Sequence, residues 1–492
     1  MKFKLEYILI FIILIANLSF RLFFVNSSEY LSSDFAYFHL RNLETIQSTG
    51  KLGFDELSYG GRALIYPTFY YYFLAFFTFF WKASVVLKMI PEILISILPI
   101  IIFLIVKLIV KNPYISLLCS ILASFIPIIV EKTLNQGSIY SIALPLIFLM
   151  FYSFLYALRN KEKVYWFVIL SFILPFIHPS AFVFVVSMIF YSILLISESM
   201  PFKGLKREMI LYSSFILILI QFMIYNKAFS EYGINFIYGR LPAELVISNV
   251  YTFSDVLTNI GVAPLIFGTI GIYLGMFRYR KNSVFLFTSV ILSIILLLTL
   301  KIIDFYIAMM FIGLSLCILS GIAIKQFFIY LDVTKLYRFR NLLVIFIVSI
   351  AVLSISPTFN VAYNLVDHTI SKEEVDIIQK MGVRIDDNSP VFADVDEGHY
   401  ITYFAVRKNI ADNYYLLAPN SKERLNDVAN VYNSWSRALA LNILKKYGVR
   451  YIYLSERTRL KYNIEDLKYV EDENCFAEIE KLGGNKFYEI RC

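Results

Sequence analysis

A chain of 492 residues that is 59% hydrophobic and only 17% charged, with mean hydropathy +0.67, lies outside the soluble range, where about a quarter of residues carry charge. Its net charge of +8 comes from short Lys and Arg clusters between apolar runs. That pattern marks membrane orientation and excludes a nucleic-acid groove.

The first apolar run, 7–25, follows Lys2 and Lys4 and is too long for a signal peptide, with no small-residue cleavage site behind it. It reads as an uncleaved first span. Further runs of membrane-crossing length follow at 85–106, 113–130, 139–158, 164–177, 179–197, 209–225, 260–277, 283–300, 305–324 and 341–358. The expectation is about eleven spans. Clusters such as Lys107/Lys111, Arg159/Lys161/Lys163, Arg278/Arg280/Lys281 and Lys335/Arg338/Arg340 then share one side, the cytoplasm.

That alternation requires the aromatic stretch 67–81 (PTFYYYFLAFFTFFW) to lie in the interface instead of crossing. The expected layout is a transmembrane domain over 1–359, with external loops at 26–84 and 226–259, and a soluble external α/β domain over 360–492. In that last domain helices are expected at 372–382, 398–407 and 422–447, and strands at Val391–Phe392, Asn409–Ala411, Arg450–Leu454 and Lys486–Ile490. Cys119 and Cys317 sit in apolar runs; Cys475 and Cys492 are either a disulfide or two free thiols.

The chemistry concentrates in loops. Loop 26–84 carries Asp34, His39, Arg41, Glu44, Asp55, Glu56 and Arg62, and its length and charge suit a functional loop. Loop 131–138 carries Glu131, a metal ligand or a helix cap, beside Asn135 and Gln136. Loop 226–259 carries Glu231, Arg240, Glu244 and Asp255, while His178 and Asp304 stand in short turns at span ends. No GxGxxG with a following acid, phosphate-binding GxxxxGK[ST], HExxH or CxxC is present, so ATP-driven transport, redox chemistry and zinc hydrolysis lack support.

The order of these motifs resembles the catalytic subunit of oligosaccharyltransferases, a branch of the GT-C glycosyltransferases. Asp34, Tyr37, His39-Leu40-Arg41 and Glu44, then Gly61-Arg62 and Tyr66-Pro67, are similar to its first external loop. Leu241-Pro242-Ala243-Glu244 resembles its external glutamate motif. The stretch from Asp394 to Asn413 resembles the segment around its Trp-Trp-Asp-Tyr-Gly signature, with Asp394, Val395 and Glu397 in place of the two tryptophans and the tyrosine. The second loop has Glu131 where the family has two acids, and Lys301 with Asp304 stand where it has an arginine.

The resemblance implies a GT-C-like fold and transfer of a sugar or oligosaccharide from a polyprenyl (dolichol-type) phosphate or diphosphate carrier to an external protein or glycolipid. It implies Asp34 and Glu244 as catalytic residues, and Asp34, Glu131 and Glu244 as ligands of a divalent cation, Mn²⁺ or Mg²⁺. His39, Arg41, His178, Arg240 and Lys301 are the expected donor-binding residues, and Asp396, Glu397, Gly398 and His399 the acceptor-binding ones. The cell membrane is the expected location. A transporter or flippase of lipid-linked sugars, or a non-catalytic relative, is the alternative; the apparent lack of mid-span acids and bases speaks against the transporter.

Overall fold

The computed structural model describes residues 5–233, 237, 251–386, 388–415, 418–472 and 474–492. Helix α1 (Leu5–Asn26) leads into the first long loop, which is itself structured: α2 (Asp34–Thr49), a two-residue hairpin of β1 (Phe54–Asp55) and β2 (Arg62–Ala63), then α3 (Phe69–Phe77). Nine residues of α3 rise only about 14 Å, well short of a ~30 Å hydrocarbon core.

Helices α4 (Ala83–Ile95) and α5 (Leu98–Val110) continue as one apolar stretch, and α6 (Pro113–Ser124) and α7 (Pro127–Thr133) follow with a 47° bend between them. Then come α8 (Tyr140–Ala157), α9 (Val164–Ile173), α10 (Ala181–Ser197) and α11 (Leu205–Tyr232). Beyond the second long loop, Phe253–Ile260 and Val262–Arg278 meet at 99°, and Asn282–Thr299, Phe305–Val333 and Arg340–Asp367 complete the bundle.

Every expected apolar run falls on helix, and the chain is a multi-pass membrane protein. Among the described residues seven helices are long and apolar enough to cross, or nine if each bent pair is one span. The shortfall from eleven is α9 and α10, with 10 and 17 residues, below the ~20 that a straight crossing needs. Pro175 and the His178-Pro179 pair interrupt the apolar sequence between these two helices.

Tight helix packing uses small residues, as expected in lipid, where close backbone approach replaces a hydrophobic driving force. A Cβ on Gly271 would stand 2.1 Å from the Leu319 carbonyl oxygen, so helices Val262–Tyr273 and Phe305–Val333 touch backbone to backbone. One expectation fails inside the bundle. Arg21 of α1 and Glu92 of α4 form a fully buried ion pair at 2.8 Å, so acids and bases do occur within spans. They are fixed there: Arg21 also donates to Thr133 (3.1 Å), and Glu92 accepts the Asn135 N–H (2.8 Å).

The C-terminal part holds a four-stranded sheet in the order β3 (Val391–Phe392), β4 (Tyr451–Leu454), β6 (Asn485–Ile490), β5 (Phe476–Leu482); β3 and β4 are parallel and the other pairs antiparallel. Three local expectations change. The helix expected at 422–447 is two, Ser421–Asn433 and Arg437–Lys446, because Ser436 caps the second through the Leu439 N–H. Residues Asn409–Ala411 contribute one bridge, to Val391, instead of a strand. Strand β5 (FAEIEKL) was not expected, since its charges dilute the apolar alternation. Cys475 and Cys492 form a disulfide that ties the two ends of the β5–β6 hairpin.

One apolar cluster crosses from the bundle into this domain. Tyr37, Leu40 and Leu43 of α2, Tyr70 and Leu74 of α3 and Leu87 of α4 pack with Ile377, Met381, Tyr400, Ile401 and Tyr453. The first loop and the C-terminal domain therefore share a core, and their polar residues meet above it.

Candidate functional site

Asp34 begins α2. Ser33 caps that helix by accepting the Ala36 N–H, and a carboxylate in the first turn suits the helix dipole. The side chain is nevertheless buried, at 5% exposure. Its Oδ1 accepts the Tyr400 N–H at 2.8 Å, and Oδ2 lies 3.5 Å from the Asn413 Nδ2. Burial pushes the Asp34 carboxyl well above the usual carboxylate range; the Tyr400 N–H opposes this, and the charges of Asp412, Asp396 and Glu397 add to it.

The segment closing over Asp34 is a helical turn from Gly398 to Ala405 that ends at Val406 in the left-handed conformation (φ +54°). Glycine is required at 398: a Cβ there would stand 2.3 Å from the Ala411 carbonyl oxygen. The four expected acceptor-binding positions diverge. Asp396 is exposed and pairs with Lys461 at 2.7 Å. Glu397 points into the domain, bonded to Ser455 and to Thr458 (2.9 Å). Burial first, then Asp394, pushes Glu397 up to about 8. His399 is buried with neither ring nitrogen hydrogen-bonded among the described residues, 3.6 Å from Asp412, and burial draws it down to about 4.

Two of the five expected donor-side residues, His39 and Arg41, lie on α2. His39 is buried and hydrogen-bonded to the Tyr71 hydroxyl at 2.7 Å. Burial, then His399 and His178, lower it to about 3, so the imidazole is neutral. Arg41 is paired with Asp55. His178 lies against the Tyr140 ring at 4.7 Å and is hydrogen-bonded to Ser180. Lys301 occupies an exposed left-handed turn (φ +55°). Glu131 pairs with Lys132 at 2.8 Å, whose ammonium also covers the Tyr306 ring at 3.9 Å. Arg240 and Glu244 lie outside the described residues.

Sequence reasoning missed the partners that fix the loop. Arg62 is buried between the Tyr414 and Tyr59 rings (4.7 and 5.1 Å) and reaches Asp412 at 3.5 Å; Asp412 also binds Ser58 and Asn409. Asn409 accepts the Tyr59 N–H at 2.8 Å. These links join positions about 350 residues apart, and no local pattern signals them.

Could this site hold a cation? Asp34 and the Asn413 Oδ1, which is buried and unpartnered, are hard oxygen donors of the kind Mg²⁺ or Mn²⁺ prefers. Among the described residues, however, no group of three His, Cys, Asp or Glu side chains could hold a metal ion. Glu131, the other expected ligand among the described residues, is engaged by Lys132.

Comparison with known proteins gives the fold a context. No family model matches the sequence, and no curated protein matches it. Solved structures do. The oligosaccharyltransferase of Archaeoglobus fulgidus in its apo form aligns with TM-score 0.69 at 14% identity over 98% of this chain and 74% of that one. The same archaeal enzyme, in complex with an inhibitory peptide and a dolichol-phosphate, aligns with TM-score 0.62 at 15% identity, over 89% and 69%. ArnT from Cupriavidus metallidurans bound to undecaprenyl phosphate aligns with TM-score 0.58 at 9% identity, over 98% and 97%. The chain has the GT-C membrane fold with a C-terminal sheet domain.

Proposed function

We propose that this protein is a membrane glycosyltransferase that moves a sugar or oligosaccharide from a polyprenyl-phosphate or diphosphate carrier to an external acceptor, a protein or a glycolipid. The observation that carries the reading is the buried Asp34 carboxylate, presented by the first turn of α2 and closed over by Tyr400 and Asn413 of the C-terminal domain. An acid at the meeting line of a bundle and a soluble domain suits a reaction between a lipid-borne donor and a water-borne acceptor. The two similar proteins were seen with dolichol-phosphate and with undecaprenyl phosphate, which supports a polyprenyl-phosphate donor.

In this reading Asp34, Glu131 and Glu244 would hold a divalent cation, which when bound would neutralise the leaving phosphate. Asp34 keeps its orientation through the Tyr400 N–H, and the neutral His39 beside Tyr71 contributes a hydrogen-bonding surface without charge. His178, Arg41, Arg240 and Lys301 are the further donor-side candidates, and Asp396 to His399 the acceptor side. Asp394 is locked to Lys461 (2.6 Å) and Tyr462 (2.8 Å) where the resembling family has a tryptophan. Asp394 is itself buried, so this position offers no exposed side chain to an acceptor. The Cys475–Cys492 disulfide supports placing the C-terminal domain outside the cytoplasm, in an oxidising compartment.

The test uses purified protein in detergent with and without Mn²⁺, a polyprenyl-linked sugar extract, and a mixed peptide and glycolipid acceptor pool followed by mass spectrometry. Metal-dependent carrier release with a new sugar-bearing product, absent in Asp34→Asn, is the expected result. No turnover by the wild type under these conditions would overturn the reading.

A further inference from the structure

Asn135 stands in the turn between α7 and α8, fully buried, at φ +56°. Asn adopts that left-handed conformation more readily than most residues other than glycine, and here its backbone and side chain make three bonds. Its N–H donates to Glu92 Oε1 at 2.8 Å. Its carbonyl accepts the Ser32 N–H at 3.0 Å. Its Nδ2 donates to the Tyr30 carbonyl at 2.8 Å. One residue thus ties a span to the approach of α2.

That approach, Glu29 to Ser33, has no helix or strand of its own, so its course depends on bonds from outside. Lys88 of α4 donates to the Ser28 and Glu29 carbonyls (2.9 and 2.6 Å), and the Leu31 N–H donates to the Tyr37 hydroxyl (3.2 Å). Asn135 supplies the bond nearest Asp34, at the Ser32 N–H, and a second at the Tyr30 carbonyl, which also accepts the Ser28 hydroxyl at 2.8 Å. It is itself anchored from below, since Glu92 is held by Arg21 at 2.8 Å. The turn cannot move aside easily, because a Cβ on Gly137 would stand 2.4 Å from Leu87 Cγ, and the Gly137 carbonyl accepts the Tyr70 hydroxyl at 2.6 Å.

We propose that Asn135 is a positioning residue for Asp34: through Tyr30 and Ser32 it sets the height at which the first turn of α2 presents the carboxylate to Tyr400 and Asn413. The proposal rests on the transferase reading for its catalytic consequence, and on geometry alone for its structural one. A misplacement of about 1 Å in a reacting geometry lowers rate by about a hundredfold.

The test compares the full-length wild type in detergent with Asn135→Gly, Asn135→Ala and the control Gln136→Ala. Asn135→Gly relaxes the strained φ and keeps both main-chain bonds, removing only the amide bond to Tyr30, so it should fold whether or not Asn135→Ala does. Two readouts are taken: hydrogen exchange of the amides over 30–36 and at 400, and carrier release from the polyprenyl-linked extract across a dilution series.

The expected result for Asn135→Gly is exchange at least about tenfold faster over 30–36, with the melting temperature unchanged. Release at saturating extract should fall about tenfold to a hundredfold while the half-saturating dilution stays put. Gln136→Ala should match the wild type. Unchanged exchange over 30–36 in Asn135→Gly would overturn the proposal, as would an unchanged saturating rate. A wild type that releases no carrier overturns the transferase reading instead, and the exchange comparison then decides by itself whether Asn135 holds the Asp34 segment.

Discussion

The main-chain N–H of Tyr400 donates to Oδ1 of Asp34 at 2.8 Å, across 366 residues of sequence. This bond satisfies one oxygen of a buried acid from the opposite end of the chain. It also makes the acid's placement depend on the C-terminal domain.

Asp34→Asn keeps an oxygen for the Tyr400 N–H while removing a charge that burial disfavours. Folded yield and melting temperature in detergent should therefore equal or exceed those of the wild type. Transfer should fall by about a hundredfold or more, on the scale of losing a key electrostatic group.

Glu397 gives a pH signature. Its folded-state value of about 8 stands above the ordinary 4.5, so between those values the fold holds a proton that the unfolded chain has released. The stability it contributes is full below pH ~4.5 and is lost as pH rises through ~8. Glu397→Gln should flatten this slope and make the protein more stable than the wild type at pH 9, by up to a few kcal/mol. Denaturant unfolding at a series of pH values reads the difference directly.

The Arg21–Glu92 pair is fully buried, so removing one partner strands a charge. Glu92→Leu alone should lower stability by about 3–5 kcal/mol, and the double variant Arg21→Met/Glu92→Leu should recover most of that. Recovery should be incomplete, because the Asn135 N–H loses its acceptor as well. Thermal unfolding of the four proteins completes the cycle.

Gly271 and Gly313 separate backbone contact from ordinary packing. Gly271→Ala forces a Cβ to 2.1 Å from the Leu319 carbonyl and should cost about 1–3 kcal/mol. At Gly313 the nearest atoms are 3.4 Å away on Ile126, so alanine there should be neutral or gain up to about 1 kcal/mol of helix propensity. The melting temperature should fall for Gly271→Ala and hold or rise for Gly313→Ala.

The bundle was legible in the sequence because lipid forces each backbone polar group into helix, so apolar runs translate directly into elements. Asp34 was legible as an acid in a long charged loop that resembles a known one. Its closure by Tyr400 was not, since that depends on tertiary packing between α2 and residues 398–405. Arg21 and Glu92 escaped notice because the apolar residues around each dominate its run, and only their partnership, 71 residues apart, explains either. The break at Ser434 to Ser436 was missed because the helical periodicity resumes immediately after it. Strand β5 was hidden by Glu478, Glu480 and Lys481, whose charges break up its apolar alternation. Glu244 and Arg240 lie outside the described residues, so the loop carrying them stays a sequence-level candidate.

The core shared by α2, α3 and the C-terminal domain has a consequence for biosynthesis. Asp34 emerges early from the ribosome and Tyr400 late, so the first loop waits through the synthesis and insertion of nearly every span before its partner exists. During that interval Tyr37, Leu40 and Leu43 have no cover on the side that Ile377, Met381 and Tyr400 later occupy. A chain interrupted between residues 367 and 400 thus has a complete bundle and no finished site. The site closes only after the last span has been made.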